Sequence, residues 1–99
     1  MAELLDDRTL AKALADLDGW EGDTDLLRRT VKAPDFPTAI LIVDAIAVAA
    51  EDMNHHPDID IRWRTLHLAL TTHDKGGVTD LDLTLAARID EIARRHGAT

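Results

Sequence analysis

The sequence predicts an α+β fold, a four-stranded antiparallel sheet with three helices packed on one face. Three observations lead there. The elements read in the order helix, two strands, helix, two strands, helix. The strand segments alternate apolar and polar residues, as antiparallel sheets with one covered face do. A chain of 99 residues is one small domain, so residues 1–99 form a single unit with one layer of helices on one sheet.

Leu10, Ala13, Leu14 and Leu17 recur at helical spacing and Gly19 follows, which predicts a first helix from Thr9 to Leu17. Trp20 to Gly22 and Leu26 to Ala33 read as two strands, with Asp23-Thr24-Asp25 as the hairpin loop. In Ala33-Pro34-Asp35-Phe36-Pro37 a breaker precedes a helix start. Asp35 caps the first turn and Pro37 is tolerated within it.

The second helix is expected from Thr38 to Met53. Between Ala39 and Ala50 it is apolar almost all round, with Asp44 its sole charge. Such a helix must be covered on more than one side. That predicts a homo-oligomer interface along the 38–53 helix in addition to the subunit's own sheet; burial within one subunit is the alternative. Ile46→Asp is the substitution expected to break the oligomer.

Pro57 ends this helix. Ile59, Ile61 and Trp63 alternate with Asp58, Asp60, Arg62 and Arg64 as a third strand. Leu66, Leu68 and Leu70 alternate with His67, Ala69 and Thr71 as a fourth. No Gly or Asn marks a turn between them, so one bent strand is the alternative to a hairpin. Asp74-Lys75-Gly76-Gly77 is a loop. Thr79-Asp80-Leu81-Asp82 resembles a capping box with Asp in place of the usual Glu or Gln. The last helix runs to about His96, with Leu85, Ile89 and Ile92 on its buried face. Arg94, Arg95 and His96 suit its negative end, and Gly97 its stop.

Composition narrows the function. An apolar fraction of 45 % with 30 % charged residues fits an ordered globular protein. The net charge of −8 repels phosphate backbones and anionic lipid, so neither nucleic acid nor membrane is an expected partner. No cysteine is present, which excludes disulfides and thiolate chemistry. Met1 to Arg8 is polar and acidic, unlike a signal peptide. The longest apolar run, Thr38 to Ala50, is too short and interrupted to span a bilayer. A cytoplasmic location is expected.

Three of the five histidines stand out. His55 and His56 end the apolar helix and His73 ends the last strand, so all three can meet at one rim of the sheet. Glu51 lies one helical turn before His55. Asp82 opens the last helix near the loop after His73. Imidazole titrates near neutrality and suits a reaction that moves protons without a cofactor. Zinc held by three imidazoles, with Glu51 as base, is the competing reading. Its spacing lacks the i, i+4 histidine pair of a helical zinc motif. His67 is read as a strand residue facing away from the leucines, and His96 as a helix-end cation.

The segment Glu51-Asp52-Met53-Asn54-His55-His56-Pro57 resembles the signature of the pterin-4a-carbinolamine dehydratases. Trp63, His73 and Asp82 stand at the spacings of that signature's aromatic residue, histidine and aspartate. The resemblance covers Phe36 to about Ala86. It implies the same α+β fold, with a tight hairpin at Arg64-Thr65. It implies dimers that extend the sheet edge across subunits, and tetramers paired through the middle helix. It implies a hydro-lyase with no cofactor that dehydrates 4a-hydroxytetrahydropterin to quinonoid dihydropterin, in tetrahydropterin recycling. His55 and His73 would be its acid/base pair, with His56 orienting substrate and assisting. Glu51, Asn54, Trp63, Thr71, Thr72 and Asp82 would line the substrate site, Glu51 tuning the histidines and Asp82 supporting His73 or holding the pterin. Leu81 replaces an arginine and Ile59 an aromatic residue of well-known members, which bears on substrate preference. Relatives that serve as a dimerisation cofactor of a transcription factor or assist rubisco assembly supply the alternative, a non-catalytic protein on this fold.

Overall fold

Two aspartates start the helical layer. Asp6 accepts the Thr9 N–H at 2.8 Å and opens α1, Asp7–Leu14. Asp35 accepts the Thr38 N–H at 2.9 Å and opens α2, Phe36–Met53. These are N-cap bonds, which satisfy amides that lack partners within the helix. Both helices begin about two residues before the sequence reading: α1 because its cap is Asp6, and α2 because Phe36 and Pro37 already belong to the first turn behind the expected cap Asp35. The computed structural model describes residues 3–99; Met1 and Ala2, part of the polar amino-terminal segment, lie outside the described residues.

The remaining elements are β1 (Trp20–Gly22), β2 (Leu27–Lys32), β3 (Asp58–Arg62), β4 (Thr65–Leu70), a 3-10 turn (His73–Lys75) and α3 (Asp80–Arg95). The strands form one antiparallel sheet in the order β1-β2-β4-β3. In that register Trp20, Arg29, Leu68 and Ile59 share one row, and Val31, Leu66 and Ile61 another. The apolar rows face the helices: Leu27, Val31, Leu66, Leu68 and Leu70 are buried with Ile42 and Ile46 of α2 and Leu85 and Ile89 of α3. The opposite face is polar, and His67 lies exposed there beside Thr30.

The sheet contains a hairpin, not a bent strand. Its two-residue turn is Trp63-Arg64, one position before the Arg64-Thr65 that the family resemblance implied. Arg62 pairs with Thr65, and Trp63 takes the left-handed conformation at φ 57°. A bulky residue is strained there. Gly or Asn would relieve that strain, so the usual signal was absent from the sequence.

On α2 the buried stripe is Ala39, Ile42, Ile46 and Ala50, while Leu41 and Val48 on the other side are 55 % and 72 % exposed. One subunit therefore covers one side of an apolar helix. Ile46 belongs to the subunit's own core, which corrects the expectation that Ile46→Asp reports on assembly. No helix among the described residues is long and apolar enough to cross a membrane.

Ile46→Asp is expected to lose roughly 4 kcal/mol or more of stability, because an unpaired charge enters a sealed core. Val48→Asp leaves that core untouched, so its loss should be much the smaller of the two; thermal denaturation of the two variants separates the faces. A second prediction concerns pH. Hydrogen bonding to Thr38, its side chain first and its backbone N–H second, holds the Asp35 carboxyl below its ordinary value. The stability from that charged cap is present above the ordinary carboxylate value and lost as pH falls through the depressed one. Asp35→Asn keeps a neutral acceptor, so its melting temperature should lie below wild type at neutral pH. The two should converge in strong acid.

Candidate active site

Asn54 sets up the site by ending α2 in the left-handed conformation, at φ 49°. Its N–H donates to Glu51 O and the next N–H, of His55, donates to Ala50 O. This is a Schellman ending, in which the residue after the left-handed one folds back onto the helix. Asn is among the few non-glycine residues that enter this region readily. The folded-back residue is usually apolar. Here it is His55, 7 % exposed, and a buried imidazole needs a polar partner.

That partner is Asp82. The carboxylate is fully buried, and its Oδ1 lies 2.5 Å from His55 Nε2. Oδ2 accepts the Thr79 N–H and the Thr72 hydroxyl, both at 2.9 Å. The Thr79 bond closes the capping box at the start of α3, and Asp82 occupies its last position. A carboxylate there also meets the positive end of the helix dipole. As a carboxylate Asp82 only accepts, so His55 Nε2 carries a proton. The free nitrogen is Nδ1. It has no hydrogen-bond partner among the described residues. The dyad thus presents one tautomer, with one nitrogen anchored and the other available for proton exchange.

The threonines form a directed chain. The Thr72 hydroxyl spends its one proton on Asp82, so at 2.8 Å from Thr79 Oγ1 it must accept. Thr79 Oγ1 in turn accepts the Leu81 N–H. Thr79 was missed as a site residue; the capping-box pattern was its signal.

His73 follows Thr72 directly and opens the exposed 3-10 turn. His56 points away from its neighbour. It is exposed, and its Nε2 bonds the equally exposed Glu51 Oε2. The adjacent histidines thus diverge, and among the described residues no three His, Asp or Glu converge as a metal-binding set. Asp82 holds His55, where the family resemblance offered His73 or the pterin. Thr71 is half-buried and donates to Asp25 O at 2.8 Å.

Trp63 does not join this group. The residues of β3 put roughly 17 Å of extended chain between Asp58 and Trp63. Trp63 is 72 % exposed, with the Arg64 guanidinium 5.5 Å from its ring. A groove of about 590 Å³ on the polar sheet face is walled by Arg28, Asp58, Asp60 and His67. Another, of about 650 Å³, lies between α2 and α3 beside Val48, Glu51 and Arg88. Neither includes His55 or His73.

The chain resembles known proteins over most of its length. The family model described as pterin 4 alpha carbinolamine dehydratase matches residues 3–92. A relative from Nocardia farcinica, whose name classes it with the pterin-4-alpha-carbinolamine dehydratases, is 54 % identical over 92 residues. That match spans 93 % of this chain and 97 % of the relative. A crystal structure described as a transcriptional coactivator/pterin dehydratase from Brucella melitensis is 32 % identical at a TM-score of 0.89. It covers 92 % of this chain and 99 % of its own. A pterin dehydratase-like protein described as a RuBisCO assembly factor in the alpha-carboxysome shares the fold at a TM-score of 0.62 and 21 % identity, over 75 % of this chain and 86 % of its own. The chain belongs to the pterin-4-alpha-carbinolamine dehydratase family.

Proposed function

We propose that this protein dehydrates 4a-hydroxytetrahydropterin to the quinonoid dihydropterin in the cytoplasm, as a step of tetrahydropterin recycling. The observation that carries the reading is the anchored His55, with Nε2 on a buried carboxylate and Nδ1 free, in a chain of the dehydratase family. The reaction breaks the carbon 4a–oxygen bond. Hydroxide leaves poorly, so a proton must reach the departing oxygen, which goes as water. The neighbouring ring nitrogen gives up its proton as the carbon–nitrogen double bond forms. No electron is exchanged. An acid and a base suffice, and each positioned group typically contributes roughly 10²–10⁴-fold.

His55 and His73 are the proposed acid and base. The carboxylate of Asp82 favours the imidazolium that forms when Nδ1 takes a proton. His56, exposed with Glu51, would orient the pterin, and Asn54 and Thr71 would lie along its edge.

We also propose a homo-oligomer, tetrameric as in the family resemblance. The exposed Leu41–Val48 side of α2 and the free edge of β3 are the faces that support it. Antiparallel pairing of β3 with a second copy would set Asp58 opposite Arg62 and carry Trp63 toward Pro57 and His56 of its neighbour. Trp63 could then touch a pterin that its own subunit keeps out of reach. In light scattering, Val48→Asp would lower the mass in solution.

The second reading, a non-catalytic assembly or dimerisation role, is favoured by the likeness in fold to the described assembly factor. The assay separates the two. Freshly generated 4a-hydroxytetrahydropterin, followed by absorbance, should lose water faster with the protein present. His55→Ala and His73→Ala should each lower that rate by about 10²-fold or more while the fold persists. A spontaneous rate in the presence of folded wild-type protein would favour the non-catalytic role, and full activity in the double variant would sink the histidine mechanism.

A further inference from the structure

The two proposed proton-transfer groups sit on separate segments, His55 behind α2 and His73 on the 3-10 turn after β4. One residue engages both. Thr72 closes the turn that carries His73: its carbonyl accepts the Lys75 and Gly76 N–H groups, each at 3.0 Å, and its own N–H donates to Gly77 O at 2.9 Å. Its hydroxyl donates to Asp82 Oδ2, and Asp82 Oδ1 holds His55.

We propose that Thr72 is a positioning residue that ties His55 and His73 into one unit through Asp82. This rests on the reading that those two histidines move the protons. Thr72 itself is 3 % exposed, and its one hydroxyl proton is committed to Asp82. Its task is therefore internal, and contact with the pterin falls to its neighbours.

The surroundings leave no substitute. Thr79 Oγ1 donates to Thr72, so without that acceptor both Thr79 and Asp82 lose a partner. The loop cannot slide to compensate. Val78 donates its N–H to Thr24 O at 2.8 Å and accepts the Leu5 N–H at 3.0 Å. A Cβ on Gly77 would lie 2.7 Å from Thr24 O, so this loop is clamped against the β1–β2 hairpin. In such a chain of hydrogen bonds each member polarises the next, and removing the middle one affects both ends.

Thr72→Val keeps the shape and removes the hydroxyl; Thr72→Ser keeps the hydroxyl. The first readout is long-range nitrogen–proton NMR of the imidazole rings, which needs no activity. Wild type should show His55 with its proton on Nε2. Thr72→Val should shift the His55 and His73 ring signals and mix the His55 tautomers; Thr72→Ser should restore them. The second readout is dehydration over a range of pH. Thr72→Val should lower kcat about tenfold, the loss expected for one hydrogen bond to a charged group, with KM within about threefold and the pH profile displaced. Thr72→Ser should recover both values.

Wild-type ring spectra and kcat in Thr72→Val would overturn the proposal. So would a loss that Thr72→Ser fails to rescue, because the methyl group would then be what matters. Should Thr72→Val not fold, Thr72→Ser decides: folded protein with a tenfold lower kcat overturns the link. Should wild type fail to accelerate dehydration, the functional reading falls, and the ring spectra alone decide whether Thr72 joins the two histidines.

Discussion

Asp82 is a carboxylate with no exposed surface, and burying such a group costs several kcal/mol unless donors surround it. Much of the local structure supplies those donors. The start of α3 supplies Thr79 N–H, the end of β4 supplies Thr72, and the fold-back after α2 supplies His55 Nε2. The turn after α2 is therefore obliged to meet the end of β4 and the start of α3 at one point. A capping box normally serves only its own helix. Here its acidic member is shared with a histidine 27 residues earlier, and a helix start becomes part of a candidate active site.

The order of elements, the antiparallel sheet and the side of it that faces the helices were legible in the sequence, because alternation and helical periods report burial directly. Three features were not. Arg29 occupies an inward row of β2 where alternation implies an apolar residue, and its partner Asp90 lies on α3, 61 residues later. No local pattern announces such a pair. The Trp63-Arg64 turn was hidden because it lacks the residues that accommodate positive φ. The side of α2 that faces the sheet could not be chosen from a helix apolar all round, and so Ile46 was assigned to assembly when it belongs to the core. Around the candidate site, the meeting of a helix end with a strand end was legible. The wiring was not: spacing brought Asp82 near His73, whereas the bond runs to His55 because the Schellman turn after Asn54 directs that ring inward.

The three histidines differ in burial. His55 is fixed, oriented and nearly enclosed, while His56 and His73 remain exposed. A pure binding module has no physical need for a buried imidazole wired to a buried carboxylate, since an apolar side chain at the fold-back would pack at lower cost. The likeness to an assembly factor is at the level of the fold, and a fold by itself does not assign a function. The uncovered side of α2 is independent of this wiring. A surface for self-association and a site for proton transfer can therefore coexist in one small chain.

Substitution of Asp82 by Asn tests the central claim most directly. The amide keeps the size of the carboxylate but carries no charge, and its NH₂ cannot accept. Measured by stopped-flow dehydration of 4a-hydroxytetrahydropterin, the folded variant should lose about 10²-fold or more in kcat, because His55 loses both its fixed tautomer and the charge that supports its protonated form. A folded Asp82→Asn protein with the wild-type rate would contradict the account and leave the dyad a structural feature of the fold.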